Sequence, residues 1–158
     1  MLARKNRGFT LVEILIVVII LGILAAIVIP QFTSASQDAR RSSMASTVQS
    51  LRSQIELYKL QHTDTVPDLT AGWTPLTTVT LADGTASTIG TVGAVGPYMQ
   101  ATPTNPFIAG AASSTVTSCT GVPAPDGTSG FYQDLSTGKI WGVAPDPADN
   151  TKWVAVGD

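Results

Sequence analysis

From Phe9 to Ile29 the chain runs for 21 residues with only Thr10 and Glu13 polar. A helix rises ~1.5 Å per residue, so this stretch matches the ~30 Å hydrocarbon thickness of a bilayer. Arg4, Lys5 and Arg7 precede it with no acid among them, whereas Gln31, Thr33, Ser34 and Ser36 follow. Positive flanks stay in the cytoplasm, so the first eight residues are expected inside and everything after Pro30 outside. A secretory signal peptide has a shorter apolar core, ~7–15 residues, followed by a small-residue cleavage site. Thr33-Ser34-Ala35 is a weak site of that kind, the core is too long, and Glu13 inside it costs ~2.5–3.5 kcal/mol on insertion scales.

A plain single-span anchor fits length and flanks but leaves Glu13 without a purpose. An ionisable group at membrane depth implies a partner. A cut between Gly8 and Phe9 would create an α-amino group one helical turn from Glu13, opposite in charge. In a packed array each Glu13 could then meet the amino terminus of a neighbouring copy, neutralising both and setting the stagger between helices.

The segment GFTLVEILIVVIILGILAAIVIP resembles the cleavage and methylation segment of type IV pilins and type II secretion pseudopilins. The resemblance covers about the first 60 residues and is nearest to major pseudopilins. Phe9 stands where the family has its mature terminus, Glu13 where it has its carboxylate, and Gly22 and Pro30 at its helix-loosening positions. It implies cleavage after Gly8 by a membrane prepilin peptidase, N-methylation of Phe9, and assembly into a helical filament driven by a cytoplasmic ATPase.

Pro30 lacks the N–H that would bond the Ala26 carbonyl, and Gly22 weakens the same stretch by up to ~1 kcal/mol relative to Ala. Two readings stand side by side: a kink at the membrane surface, and unwinding once neighbouring copies cover the segment. Beyond it, Met44, Val48, Leu51, Ile55 and Tyr58 recur at helical spacing and predict one apolar face. Pro67 requires the helix to have stopped earlier. His62, beside Asp64, reads as a solvated helix end.

After Leu60 no Lys or Arg occurs until Lys139, while Thr, Ser, Gly, Ala and Pro accumulate. LTTVTL at 76–81 with Asp83-Gly84 predicts a short hairpin or an ordered loop. GFYQD and KIWGV, joined by Leu135-Ser136-Thr137-Gly138, predict a hairpin, and KWVAV at 152–156 a third strand. The expected fold class is α+β: a long amino-terminal helix packed on a small antiparallel sheet, as in pilins. The expected divisions are a leader at 1–8, a membrane and filament-core helix at 9–30, an amphipathic helix at 31–62, and a loop-rich β region at 63–158.

The chain has nine basic and eleven acidic residues, net −2. Cutting after Gly8 removes Arg4, Lys5 and Arg7, leaving six against eleven, or −5. That balance argues against nucleic acid as a direct partner. Cys119 is the single cysteine, so no intrachain disulfide can form, and a partly buried loop thiol is expected. Major pseudopilins tie a carboxyl-terminal loop with calcium, and the resemblance suggests Asp146, Asp149 and Asn150 as ligands; the same residues are plain turn formers. Pro103-Thr104-Asn105-Pro106-Phe107 loosely resembles an Asp-Pro-Trp motif of those proteins without its acid or its Trp. Gly90, Gly93 and Gly96 have the wrong spacing for a phosphate loop, and no set of residues suggests an enzyme.

The expected function is therefore a structural filament subunit. One branch is a pseudopilin for protein export; the other is a pilin of an extracellular fibre for adhesion, motility or DNA uptake. A membrane-tethered ligand-binding module is the alternative of another class. Expected partners are further copies of the chain, the prepilin peptidase, an inner-membrane assembly platform with its ATPase, and minor pilins or pseudopilins. The expected location is the inner membrane with the amino terminus cytoplasmic, then a periplasmic or extracellular filament.

Overall fold

The computed structural model describes residues 8–157; residues 1–7, with the three cations of the expected leader, lie outside the described residues. The chain divides into two compact units, Met1–Ala39 and Arg40–Asp158. One helix, α1 (Leu11–Gln61), contributes to both. Its 51 residues correspond to a contour of ~77 Å.

Local chemistry explains where α1 begins and ends. Thr10 caps it: its hydroxyl accepts the Glu13 N–H at 3.2 Å, and its carbonyl accepts the Ile14 N–H at 3.3 Å. At the far end Thr63 and Asp64 take left-handed conformations (φ 53° and 64°), and the Asp64 N–H returns to the Lys59 carbonyl at 2.8 Å. Such a reversal satisfies carbonyls that the last turn would leave open. Pro30 sits inside α1 without ending it. In the following turn Thr33 donates to the Ile29 carbonyl and Ser34 to the Pro30 carbonyl, both at 3.2 Å.

In the second unit Met44, Val48, Leu51, Ile55 and Tyr58 are buried along one face of α1, as their spacing requires. The stripe continues four residues further than expected. His62 is 0% exposed, not solvated. Its ring stacks on Tyr58 at 3.7 Å, Nδ1 donates to the Tyr58 carbonyl at 2.9 Å, and Nε2 pairs with Thr80 Oγ1 at 2.8 Å. The reversal at Thr63 and Asp64 folds the next segment over the ring, which is why a polar helix end became interior.

The sheet comprises β1 (Val116–Cys119), β2 (Phe131–Asp134), β3 (Ile140–Pro145) and β4 (Trp153–Val156), in that order across the sheet. β2–β3 and β3–β4 are antiparallel, the meander expected. β1 was not anticipated, and it pairs parallel with β2, so the sheet is mixed rather than antiparallel. The chain between Cys119 and Phe131 travels back along the sheet before β2 starts, and that return makes the pair parallel. The 76–81 run is not a strand: Thr74–Thr77 forms a short helical turn, α2, with Pro75 near its start, where a missing N–H is harmless. Beyond it an ordered loop is held by Thr80, which bridges both Ala86 and Val95.

The sheet lies against the stripe at close range. At Gly142 in β3 a Cβ would run into the Met44 side chain, so the glycine sets how near strand and helix approach. Arg52 donates twice to the Ile140 carbonyl, at 3.1 and 3.0 Å. Phe131, Ile140, Leu69, Trp73 and Leu76 complete the core around the stripe.

Candidate functional site

Phe9 and Glu13 lie within one turn at the start of α1. Phe9 immediately precedes the capping Thr10 and is 76% exposed. Thr10-Leu11-Val12-Glu13 has the spacing of a capping box, a signal in the sequence that charge reasoning alone passed over. Glu13 thus has a local role as well, since a carboxylate in the first turn complements the partial positive charge of the helix terminus. Among the described residues no ion pair involves Glu13.

From Leu11 to Ile29 the large apolar side chains stand bare, from 41% exposed at Val28 to 82% at Leu11. This part of α1 is long and apolar enough to cross a membrane. Gly22 sits within it with nothing inside 4 Å of where a Cβ would stand, and both Gly22 and Pro30 are in continuous α-helix.

Asp146, Asp149 and Asn150 fall in the turn between β3 and β4. The carboxylates of Asp146 and Asp149 face their own loop. Asp146 Oδ1 accepts the Ala148 N–H at 2.8 Å; Asp149 Oδ1 accepts both the N–H and the hydroxyl of Thr151, at 3.1 and 2.6 Å. Asp149 Oδ2 holds the Lys152 ammonium at 3.1 Å. Calcium takes six to eight oxygens converging at ~2.3–2.6 Å, and this loop turns its acids to amides, a hydroxyl and an ammonium instead. Among the described residues no cluster of three His, Cys, Asp or Glu side chains could hold a metal. Three of the loop's four carboxylate oxygens thus already have partners within the loop.

Two other carboxylates tie the sheet. Asp134 accepts the Ser136 hydroxyl and N–H at 2.6 and 2.9 Å and the Gly121 N–H at 3.1 Å, and the Ser136 hydrogen bonds foremost hold its pKa down at about 2. Asp126 accepts the Thr128 hydroxyl and N–H and the Tyr132 hydroxyl, and the first of these leads in lowering it to about 2 as well. A carboxylate depressed in the folded state adds stability that is present above its unfolded pKa of ~3.9 and lost as pH falls through the folded value. Denaturant unfolding should therefore give a flat midpoint down to about pH 5 and a fall between about pH 4 and 2. Cys119, at the end of β1, is free and half-buried, and burial first, then nearby Asp134, raises its thiol pKa. Both effects disfavour the thiolate.

Asn105, in the segment lacking the acid, is a buried clamp. It is 2% exposed; its Nδ2 donates to the Gly130 and Val143 carbonyls at 2.9 and 2.7 Å, and its Oδ1 accepts the Phe107 N–H at 2.9 Å. The two carbonyls demand a donor, so an amide fits here and an acid does not.

A family model described as the prokaryotic N-terminal methylation motif matches residues 3–29. The chain is similar to type II secretion system core protein G of Dickeya chrysanthemi, 41% identical over 59 residues, which is 37% of this chain and 39% of that protein. The same-named protein of Pseudomonas aeruginosa is 41% identical over 59 residues, 37% and 42% of the two chains. That of Escherichia coli K12 is 36% identical over 58 residues, 37% and 40%. The match thus spans about two fifths of these relatives' length. No solved structure matches the chain. Its amino-terminal segment thus carries the prokaryotic N-terminal methylation motif and is similar to that of type II secretion core protein G, and its long helix with a small mixed sheet is a pilin-like α+β arrangement.

Proposed function

We propose that this protein is a structural subunit of a type IV filament-like assembly, a pseudopilin of a type II secretion system that forms a periplasmic pseudopilus for protein export. The bare apolar surface of α1 from Leu11 to Ile29 carries this reading. Lipid can cover it before assembly and the same helix of other copies afterwards, when close packing takes over from lipid contact. The shared segment is found in relatives named for type II secretion, which favours export over an extracellular pilus. The role is scaffolding rather than catalysis.

In this reading the chain is inserted with its amino terminus cytoplasmic and the Arg40–Asp158 unit outside. A prepilin peptidase cuts between Gly8 and Phe9, and Phe9 is methylated. An inner-membrane platform and a cytoplasmic ATPase drive assembly, with minor pseudopilins joining the same filament. Glu13 meets the Phe9 amino group of a neighbour, so a buried charge becomes the device that fixes register. Gly22 and Pro30 mark where α1 can loosen once neighbours cover it.

Mass spectrometry of the native protein should find Phe9 as the terminus, carrying a methyl group. Glu13→Ala should be cut at the same bond yet recovered from filament fractions at least ~10-fold less than wild type, as expected when one buried charge is left without its partner. Unchanged filament recovery would remove Glu13 from the register role, and an intact leader would remove the proposal as a whole.

A further inference from the structure

The turn between β3 and β4 holds the residues that the resemblance to major pseudopilins suggested as calcium ligands, and their contacts are made within the loop. Seven residues, 146–152, separate Pro145 from Trp153. The ends are pinned by the Asp146 N–H, which donates to the Lys152 carbonyl at 2.9 Å. The middle is drawn in by the Lys152 N–H, which donates to the Asp149 carbonyl at 2.9 Å. One oxygen of Asp149 is occupied by Thr151 and the other by the Lys152 ammonium at 3.1 Å.

We infer that Lys152 stands in for a metal: its ammonium, seated on the Asp149 carboxylate, closes the β3–β4 loop from within and makes the fold of this unit indifferent to calcium. A divalent ion approaching Asp149 Oδ2 meets a cation already tethered three residues away. The loop's two acids and one lysine sum to a formal charge of −1, a weak field for an ion that favours several converging carboxylates. Asp146 Oδ1 is turned to the Ala148 N–H rather than toward Asp149. The inference is independent of filament assembly, because an unassembled subunit has the same loop.

The test uses the full chain in detergent micelles, melted with tryptophan fluorescence as the signal, in millimolar calcium and in excess chelator. Wild type should melt at the same temperature in both, within about 1 °C, because no site on the loop gains stability from calcium. Lys152→Gln should melt about 2 °C lower in both buffers, the scale of a solvent-facing ion pair, and the Asp146 amide should exchange with deuterium several-fold faster. A rise of several degrees for wild type in calcium would overturn the inference. So would a Lys152→Gln variant identical to wild type in melting and in exchange.

Discussion

Gly130→Ala should lower the midpoint of thermal unfolding by about 10 °C or more, corresponding to ~3 kcal/mol at the upper end of overpacking effects. Gly130 directly precedes β2, and its N–H donates to the Ala112 carbonyl at 2.8 Å. A Cβ there would run into the Ser113 carbonyl oxygen and stand 2.7 Å from its carbon. The obstacle is backbone, so no rotamer change relieves it. The short 3-10 turn Gly110–Ser114 would have to move off β2, breaking the Asn105 N–H bond to the Ser113 carbonyl as well. Circular dichroism melting of the variant checks this, and an unchanged midpoint would mean the turn is free to shift.

Asn105→Asp should destabilise the same unit by about 3–5 kcal/mol at neutral pH, because the change sets a buried carboxylate against two carbonyl oxygens. The isosteric swap adds no volume, so the loss is electrostatic. Its pH dependence is distinctive. Burial and the facing carbonyls raise the new acid's pKa in the folded state above the ordinary ~3.9. A raised folded pKa gives stability that is present below the unfolded pKa and lost as pH rises through the folded one. The gap between Asn105→Asp and wild type should therefore narrow toward about pH 4 and widen above it, measured by denaturant unfolding across that range. A gap independent of pH would mean that the carboxylate has reached water.

The parts of this fold that were legible in the sequence are those with a strict period or a single dominant cost. Met44 to Tyr58 declared a buried face by spacing, and the Phe131, Ile140 and Trp153 strands declared themselves by β-rich runs around a glycine turn. The membrane-length run was legible because its length and composition alone meet the requirement for a span. What escaped was set by contacts far apart in sequence. Val116–Cys119 is short and polar enough to pass for loop, and only pairing with β2 makes it a strand. His62 continues the stripe by four residues, yet its polarity suggested solvent; Tyr58 and Thr80 are what satisfy it inside. Asn105 was read as a motif lacking its acid, whereas the Gly130 and Val143 carbonyls show why an amide is required. The β3–β4 turn has acids that read as cation ligands, and one of them, Asp149, is paired with Lys152 from the same turn. At the amino terminus, Thr10 and Glu13 carried a second, local signal that became visible once the hydroxyl was found on the Glu13 amide.

On the proposed function, the bare surface of α1 is covered by other copies of the same chain. A photo-cross-linking amino acid at position 24, where Leu24 is 53% exposed, tests it directly in cells that carry the assembly machinery. Illumination should give a ladder of covalent multimers of the processed chain, and Glu13→Ala should reduce the ladder to the monomer. Monomer alone in the wild-type background, with cross-links only to lipid, would contradict it.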